Sequence, residues 1–140
     1  MKTLKVIIVY FISITLINCS TFKVFEDKSR LTAEQENELA INGDSFSMFI
    51  YFENSMKGEK IFIKSYKVHY NGIIREYAQS GVAEWITVPN ISEIELYING
   101  KRYLIEANKV IRYQYLVVSK DPRKRRQYKL NFTNSPKPYW

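Results

Sequence analysis

The chain has 140 residues, 46% of them hydrophobic and 15% aromatic, and a formal net charge of +7. That is one domain's worth of core-forming sequence, too apolar to stay disordered. One cysteine and one histidine exclude an internal disulfide, a cysteine-based zinc site and two-histidine metal sites, so neither a metal nor a cofactor is expected.

Lys2 and Lys5 precede an apolar run from Val6 to Ile17, broken only by Ser13 and Thr15. A charged start followed by an apolar stretch is the order of an export signal. The run ends at Asn18, short of the ~20 apolar residues that a membrane-crossing helix needs.

The run closes on Leu16-Ile17-Asn18-Cys19, which holds the only cysteine. This stretch resembles the lipobox of bacterial lipoproteins. Leu16 matches the family's leucine, Ile17 is acceptable, and Asn18 stands where Gly, Ala or Ser is usual. The resemblance covers residues 1 to 19 and leaves the domain unaddressed. It implies cleavage before Cys19 by signal peptidase II and acylation of Cys19. The remainder would then hang from a bacterial membrane, in the periplasm or at the outer membrane. The expected layout is a signal peptide over 1–18, a lipidated tether with a short helix or linker over 19–44, and a β domain over 45–140.

Ser20 to Arg30 reads as a solvated tether, with Phe22, Val24 and Phe25 as the seeds of an alternative strand. Lys23 and Lys28 lie near the anchor, within reach of anionic headgroups. Thr32-Ala33-Glu34-Gln35 has the form of a capping box and predicts a short helix to Ala40. Phe46 to Glu53 is a strand with Phe46, Met48, Ile50 and Phe52 on one face. Phe49 and Tyr51 make its second face mixed, as in a sandwich or barrel wall.

Two Asn-Gly pairs predict two hairpins, because Asn-Gly accepts the positive φ of a type I′ turn. The first joins Lys60–Tyr70 to Ile73–Gln79 around Asn71-Gly72. It places Tyr66, Tyr70 and Tyr77 on one face and sets Lys67 across from Glu76. Glu84 to Val88 is a short strand ended by Pro89. The second hairpin joins Glu93–Ile98 to Lys101–Glu106 around Asn99-Gly100. Its register sets Ile94 against Ile105, Leu96 against Tyr103 and Ile98 against Lys101, and predicts Ile94, Leu96, Tyr103 and Ile105 in the core. Lys109 to Val118 alternates as a further strand. Asp121-Pro122 opens a turn that carries Arg123-Lys124-Arg125-Arg126, and Tyr128, Leu130 and Phe132 form the last strand. Pro136 and Pro138 punctuate a tail whose Tyr139 and Trp140 are expected to lie back on the domain.

The fold class is therefore all-β, an antiparallel sandwich of seven to eight strands, immunoglobulin-like or transthyretin-like, with a small barrel as the alternative. His69 lacks a nucleophile signature around it and reads as a half-buried strand residue. Tyr66, Tyr70 and Tyr77 are a candidate aromatic ligand platform, against the commoner role of core tyrosines with hydroxyls at the rim. From Lys109 to Trp140 there are nine bases and one acid. An export signal ahead of them disfavours nucleic acid. That leaves Arg123, Lys124, Arg125 and Arg126 as a solvated loop, a contact for anionic lipid or a dock for an acidic partner. The expected function is a non-catalytic, membrane-anchored envelope lipoprotein serving as an interaction or assembly module, by analogy of fold and size. A small-ligand or glycan-binding module using tyrosines, Trp85 or Trp140 is the alternative. An envelope hydrolase ranks last, for want of a nucleophile and base.

Overall fold

Strands that alternate apolar and polar residues present one wall to a core, and here two such walls face each other. The computed structural model describes residues 22–28, 30–41, 47–75, 81–89, 92–124 and 127–135. The chain runs β1 (Phe22–Glu26), α1 (Ala33–Ile41), β2 (Ser47–Glu53), a 3-10 turn (Asn54–Met56), β3 (Lys60–Lys64), β4 (Val68–Ile73) and β5 (Val82–Pro89). It continues through β6 (Ile94–Ile98), β7 (Lys101–Ile105), α2 (Ala107–Arg112), β8 (Tyr115–Lys120) and β9 (Tyr128–Thr133). One sheet has the order β1-β9-β8-β2-β5, and the other β4-β3-β6-β7.

The expected all-β sandwich is the fold. Its five-stranded sheet is mixed, not wholly antiparallel, because β1 runs parallel to β9 and β2 parallel to β8. Its first two strands, β1 and β2, share that sheet but are separated by β9 and β8, whereas the first two strands of an immunoglobulin constant domain are neighbours. Met48, Ile50 and Phe52 of β2 meet Ile61 and Ile63 of β3, Leu96 and Ile98 of β6, and Leu130 and Phe132 of β9 in one buried cluster. Each such side chain contributes about 1.5–3 kcal/mol by leaving water.

The Asn99-Gly100 hairpin forms in the expected register, with Asn99 at φ 49° and Gly100 at φ 81°. Ile94, Leu96 and Ile105 are buried, and Tyr103 packs on them half-buried. The capping box also forms. The Thr32 amide donates to Gln35 Oε1 at 2.8 Å, and the Gln35 amide donates to Thr32 Oγ1 at 3.2 Å.

Three expectations are corrected. The chain does not turn at Asn71-Gly72. It turns at Ser65–Lys67, where the Ser65 amide donates to the Lys67 carbonyl, and Asn71 and Gly72 sit inside β4 opposite Phe62 and Ile61. Gly72 is absent from the positive-φ residues. A Cβ there would come 3.0 Å from Tyr70 Oη, so this glycine serves a close approach and not a turn. Second, residues 107–112 are helical. Val110 and Tyr113, three apart, are buried, while Ile111 is 51% exposed. The short helix carries the chain from the β7 sheet to the β8 sheet. Third, Phe22–Glu26 is no free tether. It hydrogen-bonds along β9 as an edge strand, with Phe22 and Val24 packed on the core.

The strand directions give the sandwich two distinct ends. The start of β1, the β8–β9 turn, the 3-10 turn, the start of β3 and the Asn99-Gly100 turn share one end. The end of β1, both helices and the start of β8 lie at the other.

Candidate functional site

The open face of the five-stranded sheet carries a row of aromatic rings. β2 alternates, so Met48, Ile50 and Phe52 point inward and Phe49 and Tyr51 point out. Tyr51 pairs across with Trp85 on β5, and Phe49 with Tyr115 on β8. Phe49 stacks on Tyr115 at 5.7 Å between centroids, Tyr51 on Tyr115 at 6.0 Å, and Phe49 meets Trp85 at 6.4 Å. Trp85 is 57% exposed and lies on the edge strand β5. Burial, with Tyr115 beside it, raises the Tyr51 phenol above its ordinary pKa. The row is aromatic throughout and crosses three strands.

The candidate platform of Tyr66, Tyr70 and Tyr77 is placed differently. Tyr66 stands exposed in the Ser65–Lys67 turn, edge-on to His69. Tyr70 lies opposite Ile63, against the core. Tyr77 lies outside the described residues. The hairpin that would have aligned the three is not the one that forms. The mixed second face of β2 was the sequence signal for the aromatic row, but only the pairing of β2 with β5 and β8 assembles it.

His69 contacts Ser65 Oγ at 2.6 Å. Burial lowers the imidazole pKa, and the Lys67 ammonium lowers it further. The charge acting on this ring is thus a cation, the opposite of the carboxylate that orients a catalytic histidine. Among the described residues no group of three His, Cys, Asp or Glu side chains comes together to hold a metal ion.

At the end shared by both helices a cleft of ≈ 620 Å³ opens between the β1–α1 connection and α2, lined in part by Asp27, Arg30, Glu36, Ile111 and Arg112. Buried amides hold its walls. Gln35 donates to Gln114 Oε1 and, at 3.3 Å, to the Asn134 carbonyl. Asn134 Oδ1 accepts from the Gln114 amide at 2.8 Å, and its Nδ2 donates to the Arg112 carbonyl at 2.9 Å.

At the other end a buried carboxylate, Glu59, clasps the two sheets. It accepts from Lys120 Nζ at 2.5 Å, from Tyr128 Oη at 2.9 Å and from Asn99 Nδ2. Just beyond it runs the turn with Arg123 and Lys124, both exposed; Arg125 and Arg126 lie outside the described residues. The Arg123 amide donates to Asp121 Oδ1 at 2.9 Å and holds that carboxyl below its ordinary pKa. Cys19 and Trp140 lie outside the described residues. Among the described residues no helix is long and apolar enough to cross a membrane.

No family model, no curated protein and no solved structure matches this chain.

Proposed function

We propose that the chain is a bacterial envelope lipoprotein, tied to a membrane through lipid on Cys19, that works as a non-catalytic interaction or assembly module. The aromatic row on the open sheet face carries the interaction reading. A large aromatic side chain buries about 150–250 Å² when covered. Trp85, more than half exposed, therefore has roughly 100 Å² to give, about 2.5 kcal/mol at ~25 cal/mol per Å². Tryptophan and tyrosine are the side chains that dominate protein interfaces when buried centrally. The row's neighbour on one side is β5, the last strand of its sheet among the described residues, so a partner covering the rings also lies beside a sheet edge.

A photo-crosslinker at position 85 in cells tests this. The reading expects a discrete adduct with one envelope protein, reduced when Phe49 and Tyr115 are changed to alanine, and none from a crosslinker at Arg102 on the other sheet. Equal yields from positions 85 and 102 would contradict it.

A second reading, glycan binding, rests on the same rings, since flat aromatic faces also cover sugar rings. Saturable change of tryptophan emission with envelope oligosaccharides, lost in Trp85→Phe, would favour it over the protein partner.

A further inference from the structure

We infer that the end of the sandwich built around the β8–β9 turn is a headgroup-binding face, whose bases take the phosphates of anionic lipids and set the domain's orientation on its membrane. The inference rests on the anchor reading above for its geometry, and on the charge layout for its chemistry.

The geometry comes from β1. Phe22 opens β1 and pairs with Tyr128 at the start of β9. Only Ser20 and Thr21 separate Phe22 from Cys19. Three residues span about 10 Å at most. A lipid on Cys19 therefore holds this end, and not the helical end, against the bilayer.

The charges follow the same axis. Lys57 and Lys60 and the turn residues Arg123 and Lys124 are exposed at this end. Arg75 is exposed beside them, one residue past Ile74, whose carbonyl accepts from the Gly58 amide. Two of this end's carboxylates are already engaged: Glu59 with Lys120 at 2.5 Å, and Asp121 with Lys129 at 3.8 Å. The opposite end carries both signs, Glu26, Asp27 and Glu36 standing there with Lys28, Arg30, Lys109 and Arg112. Screening limits attraction to roughly 8 Å at physiological salt. A domain tethered within about 10 Å of the surface brings its basic end to about that range and leaves its mixed-charge helical end, a strand's length away, outside it. Each base so placed strengthens attachment about five-fold.

The layout also decides between lipid and protein as the counter-surface. An acidic protein could meet a basic patch anywhere on the domain. Here the patch lies on the one end that the anchor presses to the headgroups.

The test uses the full, lipidated chain reconstituted into vesicles of phosphatidylcholine alone or with phosphatidylglycerol. Amide hydrogen exchange is followed across the 121–124 turn and across α2. The expected result is at least a five-fold slowing in the turn on phosphatidylglycerol vesicles only, with α2 unchanged. High salt should erase the slowing. The double variant Arg123→Gln, Lys124→Gln should reduce it, and Lys60→Gln, Arg75→Gln should do so without touching the turn itself. Equal exchange on the two vesicle types would overturn the inference. So would slowing that appears only when membrane proteins are added, which would assign this face to an acidic partner. Intact-mass analysis separates the two readings. A lipidated Cys19 with an unprotected turn defeats the headgroup face alone. An unlipidated chain whose turn is still protected on anionic vesicles defeats the anchor alone.

Discussion

Replacing Glu59 by alanine removes the group that clasps the two sheets under the basic turn. Glu59 is 6% exposed and accepts three hydrogen bonds, two of them from β8 and β9 of the opposite sheet. A hydrogen bond to a charged group contributes about 1.5–3 kcal/mol. Lys120 is 27% exposed and regains water when its partner goes, so the low end of that range applies to it. Tyr128 is 4% exposed, and losing the acceptor for its buried hydroxyl costs about 1–2 kcal/mol more. The sum is about 3 kcal/mol. With a urea slope of about 2 kcal/mol per molar, the unfolding midpoint falls by about 1.5 M. Glu59→Gln keeps an acceptor for Tyr128 and should lose about half as much. Equilibrium urea unfolding followed by tyrosine and tryptophan emission reads both variants, with the slope unchanged. A Glu59→Ala midpoint within about 0.2 M of wild type, a difference of under ~0.5 kcal/mol, would refute the clasp. So would a glutamine variant as damaged as the alanine one.

Three other outcomes are expected. Asn134→Ala strips partners from the Gln114 amide and the Arg112 carbonyl, and should cost about 2–3 kcal/mol, with hydrogen exchange rising first in α1 and α2. Burial raises the phenols of Tyr51, Tyr70 and Tyr128, so the unfolded state loses its protons first. Stability should therefore be intact below pH ~10 and fall as pH rises through the raised values; a flat urea midpoint across that window would contradict it. Gly100→Ala, at φ 81°, should cost about 1 kcal/mol through backbone strain, whereas Gly72→Ala should act through the Tyr70 ring, so that Tyr70→Phe, which removes the hydroxyl nearest the new methyl, partly restores it.

The two Asn-Gly pairs show what local sequence does and does not decide. Around Asn99-Gly100 the flanking strands alternate cleanly, and positive φ at both residues closes the turn. Local chemistry and burial agree there, so turn and register were legible. Around Asn71-Gly72 they conflict. Obeying the turn signal would have made Lys60–Tyr70 a single long strand. The chain instead bends at Ser65–Lys67 and spends Gly72 on room for Tyr70, a demand made by packing alone. Residues 109–118, read as one strand, are helix in their first part for a similar reason. Val110, Ile111, Tyr113 and Tyr115 fit either period, and the need to cross between sheets settles the first part as helix.

The candidate surfaces divide in the same way. The outward rings of β2 and the basic run were visible as residues. Their assembly depends on pairings between strands far apart in sequence, β2 with β8 and β1 with β9, which no local pattern encodes. Asn99 is the sharpest case. As a turn residue it was expected; as the donor that joins Glu59 and Tyr128 it follows only from the meeting of the two sheets.

The central claim is that this sandwich is held to a membrane by lipid on Cys19, three residues before its first strand. Intact-mass spectrometry of the mature protein from its own membrane tests that most directly. The account predicts a chain beginning at Cys19 and carrying the added mass of a diacylglyceryl group. A chain that retains residues 1–18, or one cleaved elsewhere with an unmodified Cys19, would contradict it.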